Sequence, residues 1–192
     1  MKAGALLSVL LCLVVLSQAT ELLLNPEVNG CEFANGNPVT SWTGSQGSYT
    51  NALYPSFISD FPSGDTCFAY LYAISTVDSL TQTITVPSTG TYDFSGLVGC
   101  WSGNVAPSCD YTLTINGNNV PLTGATAVPA LEPITYLPVT ATGITLPAGT
   151  YDLVFKVENA PSGLASMFVT SLSLVTSGGG SGDPHMVGFQ GQ

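Results

Sequence analysis

Positive charge is almost missing from this 192-residue chain, which has two basic residues, Lys2 and Lys156, and one histidine against 12 aspartates and glutamates. No face can therefore carry the basic stripe that neutralising phosphates requires, and nucleic acid is excluded as a partner. Charged residues of either sign make up only 7% of the chain. A formal charge of −10 could mark a disordered acidic chain, but 45% hydrophobic residues, with eight Tyr and eight Phe, supply a packed core. The acidity is that of a solvated surface.

Catalytic signatures are missing as well. The chain contains no G-x-S-x-G, no H-E-x-x-H and no P-loop, and its single histidine, His185, lies in the C-terminal tail, away from any Ser-His-Asp arrangement in a folded core. Asp60, Asp65, Asp78 and Asp110 are carboxylates of the kind used in glycoside hydrolysis, but nothing in their spacing selects a pair, and surface loops commonly carry such residues. The expectation is a protein that is not an enzyme.

Helical periodicity is absent too, since no window shows an apolar stripe at a 3.6-residue repeat. The one long apolar run, Ala3 to Leu16, follows Met1-Lys2 and ends in Ser17-Gln18-Ala19. A positive start, an apolar stretch of about a dozen residues and small residues before the cut describe a secretory signal peptide, with cleavage after Ala19. The run is shorter than the roughly 20 residues a bilayer crossing takes, so the mature chain is expected to have no membrane span and to be secreted. Residues 20–176 have the length of one domain with a sizeable core.

Cleavage would remove Cys12 and leave Cys31, Cys67, Cys100 and Cys109, an even count that favours two disulfides in an oxidising compartment. Three pairings are possible. The favoured one joins Cys100 to Cys109 around a short loop and Cys31 to Cys67, tying an N-terminal segment to a later strand. Zinc is a poor alternative, because no CxxC spacing exists and His185 is remote.

Between Leu22 and Val175 apolar residues recur at every second position. "DYTLTING" sets Tyr111, Leu113 and Ile115 against Asp110, Thr112 and Thr114, and "YDLVFKVE" does the same with Tyr151, Leu153, Phe155 and Val157. "MFVTSLSLV" groups Phe168, Leu172 and Leu174, while "LTQTITV" and "TYDFSGLV" supply two more strands. Short strands separated by Gly, Pro and Asn turns predict an all-β antiparallel sandwich. An internal echo, "VPSTGTYDF" and "LPAGTYDLVF", places Pro, Gly and then Thr-Tyr-Asp at a strand start, and it predicts a hairpin connection at each place.

The order "LLLNPEVNGCEF", "SWTGSQGSY", "GDTCFAYLY", "SLTQTITVPSTGTYDFSGLV", "DYTLTINGNNV", "TATGITLPAGTYDLVFKVEN", "SMFVTSLSLV" resembles the galactose-binding-like jelly-roll domains, a superfamily with many carbohydrate-binding modules. The likeness spans Leu22 to Val175. It implies a sandwich that often binds a glycan and frequently holds a structural calcium near its N-terminal segment. Candidate calcium positions are Asn25, Glu27 and Asn29; related modules carry a carboxylate where this chain has Asn29, an exchange that weakens such a site without excluding it.

Sugar rings stack their C–H faces on aromatic platforms and present hydroxyls to Asn, Asp, Gln or Thr, so exposed aromatics with polar neighbours are the candidates for a glycan site. Trp101 opens the "WSGNVAPS" loop beside Asn104; Tyr70 and Tyr72 share one face of "CFAYLYA" with Phe68; Tyr54 sits in "SYTNALYPSF". Each has a plainer reading, since a Trp beside a Cys often packs on its disulfide and a strand apolar on both faces is usually covered on both. Trp42 is expected in the core.

Residues 177–182 form a Gly/Ser linker, and "GDPHMVGFQGQ" at the C-terminus resembles the opening of von Willebrand factor type D domains. Residues 183–192 alone are too few to make a core and are expected to be disordered. The combined expectation is a secreted, disulfide-bridged module that binds an extracellular glycan or matrix protein. The alternative is a structural spacer of a matrix or cell wall with no small ligand.

Overall fold

The computed structural model describes residues 19–24, 41–44, 48–50, 67–73, 78–101, 108–124, 127–129, 135–158 and 165–178. Eleven strands occur among them, and no helix: β1 (Ser48–Thr50), β2 (Cys67–Ala73), β3 (Asp78–Val86), β4 (Gly90–Trp101), β5 (Ser108–Ile115), β6 (Asn118–Val120), β7 (Thr123–Gly124), β8 (Ala127–Pro129), β9 (Leu137–Leu146), β10 (Gly149–Glu158) and β11 (Ala165–Thr176). They form two antiparallel sheets. One has six strands in the order β1-β2-β11-β4-β9-β7; the other has five, β3-β10-β5-β6 with β8 added to β5. The protein is the antiparallel β-sandwich that the alternating sequence predicts.

Period-two patterning decides what lies between the sheets. Tyr92, Phe94, Val98 and Cys100 of β4 face Tyr111, Leu113 and Ile115 of β5 and Leu153 and Phe155 of β10, all buried in one cluster that also takes in Trp42. Phe94 and Phe155 stack at 6.2 Å between ring centroids, and Tyr111 tilts against Phe155 at 5.5 Å. Each such aromatic pair adds roughly 0.5–1.5 kcal/mol beyond the area it buries.

The sequence echo has a different structural meaning from the hairpins expected. Each Pro-Gly connection carries the chain from one sheet to the other: β3 ends in the five-stranded sheet and β4 begins in the six-stranded one, while β9 to β10 makes the reverse crossing. The two corners interlock. Gly149 pairs with Val86 in one sheet and Gly90 with Leu146 in the other. At each corner the tyrosine hydroxyl donates to the carbonyl four residues upstream, Tyr92 to Ser88 and Tyr151 to Pro147, both at 2.9 Å. Thr-Tyr-Asp thus recurs because both corners need the same tie. A local turn signal cannot show which sheet the next strand will join.

The expected grouping of Phe168 with Leu172 and Leu174 also needs correction. The pairing of β11 with β4 shifts between Thr170 and Ser173, and Ser171 there has a φ of 51°. This bulge reverses the alternation. Val169 lies in the inter-sheet core with Leu172 and Leu174, whereas Phe168, although buried, is not part of that cluster. The bulge also divides the pairing along β11. Its first half pairs with β2, and beyond it Glu21 bridges Val175 while Leu22 donates to the Leu174 carbonyl at 2.9 Å. The Glu21 carboxylate completes the join, accepting from the Leu174 amide at 2.9 Å and from the Ser173 hydroxyl.

From there the N-terminal segment crosses to the other sheet. The Gln82 carboxamide is buried, with its oxygen accepting from the Leu24 amide at 2.8 Å and its nitrogen donating to the Leu24 and Ser41 carbonyls at 2.8 and 3.0 Å. Thr43 and Thr81 exchange a pair of backbone hydrogen bonds just beyond.

One core group lacks such satisfaction. The Tyr111 hydroxyl is buried without a hydrogen-bond partner, and burial pushes its pKa up to about 12. An unfolded tyrosine ionises near 10, so the stability contributed by the neutral phenol is complete below about pH 10 and is lost as pH rises through about 12, an effect of at most about 3 kcal/mol. Tyr111→Phe is expected to raise stability by about 1 kcal/mol near neutral pH, because it removes an unsatisfied buried hydroxyl. It should also abolish that part of the alkaline loss. Urea unfolding of both proteins from about pH 7 to about pH 12 measures both effects.

Candidate functional site

The bridge between Cys100 and Cys109 is present, with 5.8 Å between the α-carbons. It staples the end of β4 in the six-stranded sheet to the start of β5 in the other. This agrees with the short-loop pairing read from the sequence and rules out pairing of Cys31 with either residue. Cys67 begins β2; Cys31 lies outside the described residues.

Immediately after the staple comes Trp101, the last residue of β4. Its register partner in β11 is Ser166, and the partner of Ser166 in β2 is Tyr72. Tyr72, Ser166 and Trp101 therefore form one row across three adjacent strands. Two residues along the strands a second row contains Tyr70, Phe168 and Gly99, and in the edge pair Phe68 sits opposite Tyr49. Ala69 and Leu71 of β2, Val169 of β11 and Val98 and Cys100 of β4 are all buried in the core. Alternation therefore places both rows at outer-face positions of the six-stranded sheet, a face that is covered at Phe168, which is 4% exposed. Adjacent strands lie about 4.8 Å apart, which puts the backbones at Tyr72 and Trp101 about 10 Å from each other.

Three of the aromatic candidates named from the sequence, Tyr70, Tyr72 and Trp101, are thus brought to one face although 29 residues separate Tyr72 from Trp101. Asn104 and Tyr54 lie outside the described residues, as do Asn25, Glu27 and Asn29 and the Gly182–Gln192 segment. Ser166 is not singled out by the sequence, and Phe168 figures there only as a strand position grouped with Leu172 and Leu174. Their strand is recognisable in "SMFVT", but its placement between β2 and β4 is a long-range pairing that no local pattern encodes. Trp42, expected in the core, is there at 3% exposure.

Two aromatic positions flank a serine, whose hydroxyl can both donate and accept. Among the described residues no three His, Cys, Asp or Glu side chains cluster as metal ligands would. Of the four aspartates considered for hydrolysis, Asp78 begins β3 and Asp110 lies in β5, in the other sheet and with β10 between them; Asp60 and Asp65 lie outside the described residues. No described helix is long and apolar enough to cross a membrane.

No family model and no curated protein sequence matches the chain. Solved structures do. TmCBM61 in complex with β-1,4-galactotriose superposes with a TM-score of 0.50 at 15% identity, over 82% of this chain and 99% of that one. The Stig cyclase Fisc from Fischerella sp. TAU, in complex with an indole compound, gives a TM-score of 0.55 at 10% identity, over 82% of this chain and 98% of that one. The apo form of a Fischerella cyclase gives 0.55 at 11% identity, over 82% and 96%. One sandwich fold is shared by a sugar-binding module and a cyclase. At these identities the likeness establishes architecture, and a fold of this kind hosts unrelated functions, so function has to be argued from the row itself.

Proposed function

We propose that this chain is an exported, non-catalytic glycan-binding module whose site is the outer face of the six-stranded sheet around Tyr72, Ser166 and Trp101. The observation that carries the reading is the in-register row, two aromatic positions flanking a hydroxyl on three paired strands. A rigid sheet holds such positions in a fixed spacing, which lowers the ordering cost when a ligand binds. The shared architecture with TmCBM61 supports it, since that module's structure holds a galactotriose. Export fits the leader-like N-terminus and the Cys100–Cys109 bridge, because disulfides persist in oxidising compartments.

A glycan array probed with the full chain tests this reading. Binding is expected, and Trp101→Ala and Tyr72→Ala should each weaken it by roughly ten- to thirtyfold, the usual effect of truncating an aromatic anchor. An array without signal would favour the spacer reading, and binding that survives both substitutions would place the site elsewhere.

A further inference from the structure

We infer that this module does not carry load in line: tension across its two ends peels the N-terminal strand from β11 before either sheet gives way. The inference stands apart from the glycan reading and bears on the spacer alternative.

The two ends of the sandwich are cross-strand neighbours. The Thr20 amide donates to the Thr176 hydroxyl at 3.3 Å, Glu21 bridges Val175 in the antiparallel sense, and the Leu22 amide donates to the Leu174 carbonyl at 2.9 Å. Ser177, the first residue after β11, is fixed at the same corner. Its amide donates to the Thr91 carbonyl at 2.8 Å and its hydroxyl to the Asp93 carboxylate at 2.7 Å. Tyr92, the register partner of Thr176, lies near the start of β4, whereas Cys100 and Trp101 lie at its other end. At about 3.3 Å per residue, the staple stands about 30 Å from the corner where the chain enters and leaves. A body held this way projects as a side branch. It adds almost nothing to the length of a chain in series, which a matrix spacer must do.

The mechanics follow from the antiparallel pairing. Pulling residues 20 and 177 apart opens their ladder from its end, one hydrogen bond at a time, whereas terminal strands running parallel would be sheared with all their bonds loaded together. The two sides of the ladder are unequal. β11 is also paired with β4 as far as Thr176. The N-terminal residues are held to β11 by the bonds already named and by the Glu21 carboxylate, which accepts from the Leu174 amide and the Ser173 hydroxyl. The N-terminal side therefore yields first. Peeling is stopped where Leu23 is buried in the core and the Gln82 carboxamide holds both backbone groups of Leu24. The segment freed is Thr20 to Leu22, on the order of 10 Å of chain.

Optical-tweezers pulling of the full chain, with a handle at each end, tests this. At forces below the main unfolding event, a reversible first lengthening on the order of 10–20 Å is expected. Glu21→Ala should raise the opening rate of that step roughly tenfold, because it removes charge-assisted hydrogen bonds, while the rate of the main event changes less than about twofold. Ser173→Ala removes only one of the Glu21 ties and should raise the opening rate about threefold; it keeps the test open if Glu21→Ala folds poorly. Gln82→Leu should lengthen the first step, since peeling then runs past Leu24. A single all-or-none rupture of the unsubstituted chain, or equal opening rates in that chain, Glu21→Ala and Ser173→Ala, would overturn the inference and leave the glycan reading untouched.

Discussion

Gln82→Leu is expected to destabilise the protein by about 3 kcal/mol, although leucine is close to glutamine in size and the site is buried. The carboxamide makes three hydrogen bonds, two to the backbone of Leu24 and one to the carbonyl of Ser41. Leucine satisfies none of them, and each such hydrogen bond contributes on the order of 1 kcal/mol. Removing the clasp also releases the N-terminal segment that closes one edge of the sandwich, where Leu22 bonds to Leu174. Gln82→Glu keeps the acceptor but loses both donors and buries a carboxyl group, so it should be at least as damaging. For a domain of this size the melting temperature should fall by about 6–12 °C. If leucine proved neutral while glutamate unfolded the protein, Gln82 would be core filler and the clasp irrelevant.

The second large effect is expected from the double variant Cys100→Ala, Cys109→Ala. Closing a loop of nine-residue separation restricts the unfolded chain by about 3 kcal/mol on the loop-entropy estimate. Both cysteines are also fully packed core residues, so the alanines add a small cavity cost. Because Cys100 precedes Trp101 and anchors the end of β4 to the opposite sheet, the variant should lose ligand affinity as well as stability. Chemical denaturation and calorimetry on the same samples read the two separately. Lower stability with unchanged affinity would mean that pairing with Ser166 positions Trp101 without help from the staple.

Much of the fold could be read in the sequence because side-chain alternation is a local property. Tyr111, Leu113 and Ile115, or Leu153 and Phe155, declare their inward face without reference to any other strand, and all five are buried. The short disulfide was legible for the same reason. Features that depend on partners were not. Thr-Tyr-Asp at residues 91–93 and 150–152 signals a turn, but whether the chain stays in its sheet or crosses depends on the interlocked pairing of Val86 with Gly149 and Leu146 with Gly90. Phe168 looked equivalent to Leu172 until the bulge at Ser171 reversed the faces.

The candidate site was legible in the same partial way. Tyr70, Tyr72 and Trp101 stand out in the sequence as aromatics, yet nothing in their own segments brings them together. That is done by β11, a strand from much later in the chain that pairs with both β2 and β4. Ser166, the middle of the row, carries no signal beyond being one of many serines.

The most direct measurement is an amide chemical-shift titration of the isotopically labelled full chain with whichever glycan the array shows to bind. The largest shifts should fall on Tyr72, Ser166 and Trp101 and their neighbours Tyr70, Gly99 and Phe168, with the Trp101 indole among the most affected. Shifts confined to β3, β10 and β5 of the opposite sheet, with the β2–β11–β4 row unmoved at saturation, would contradict the account.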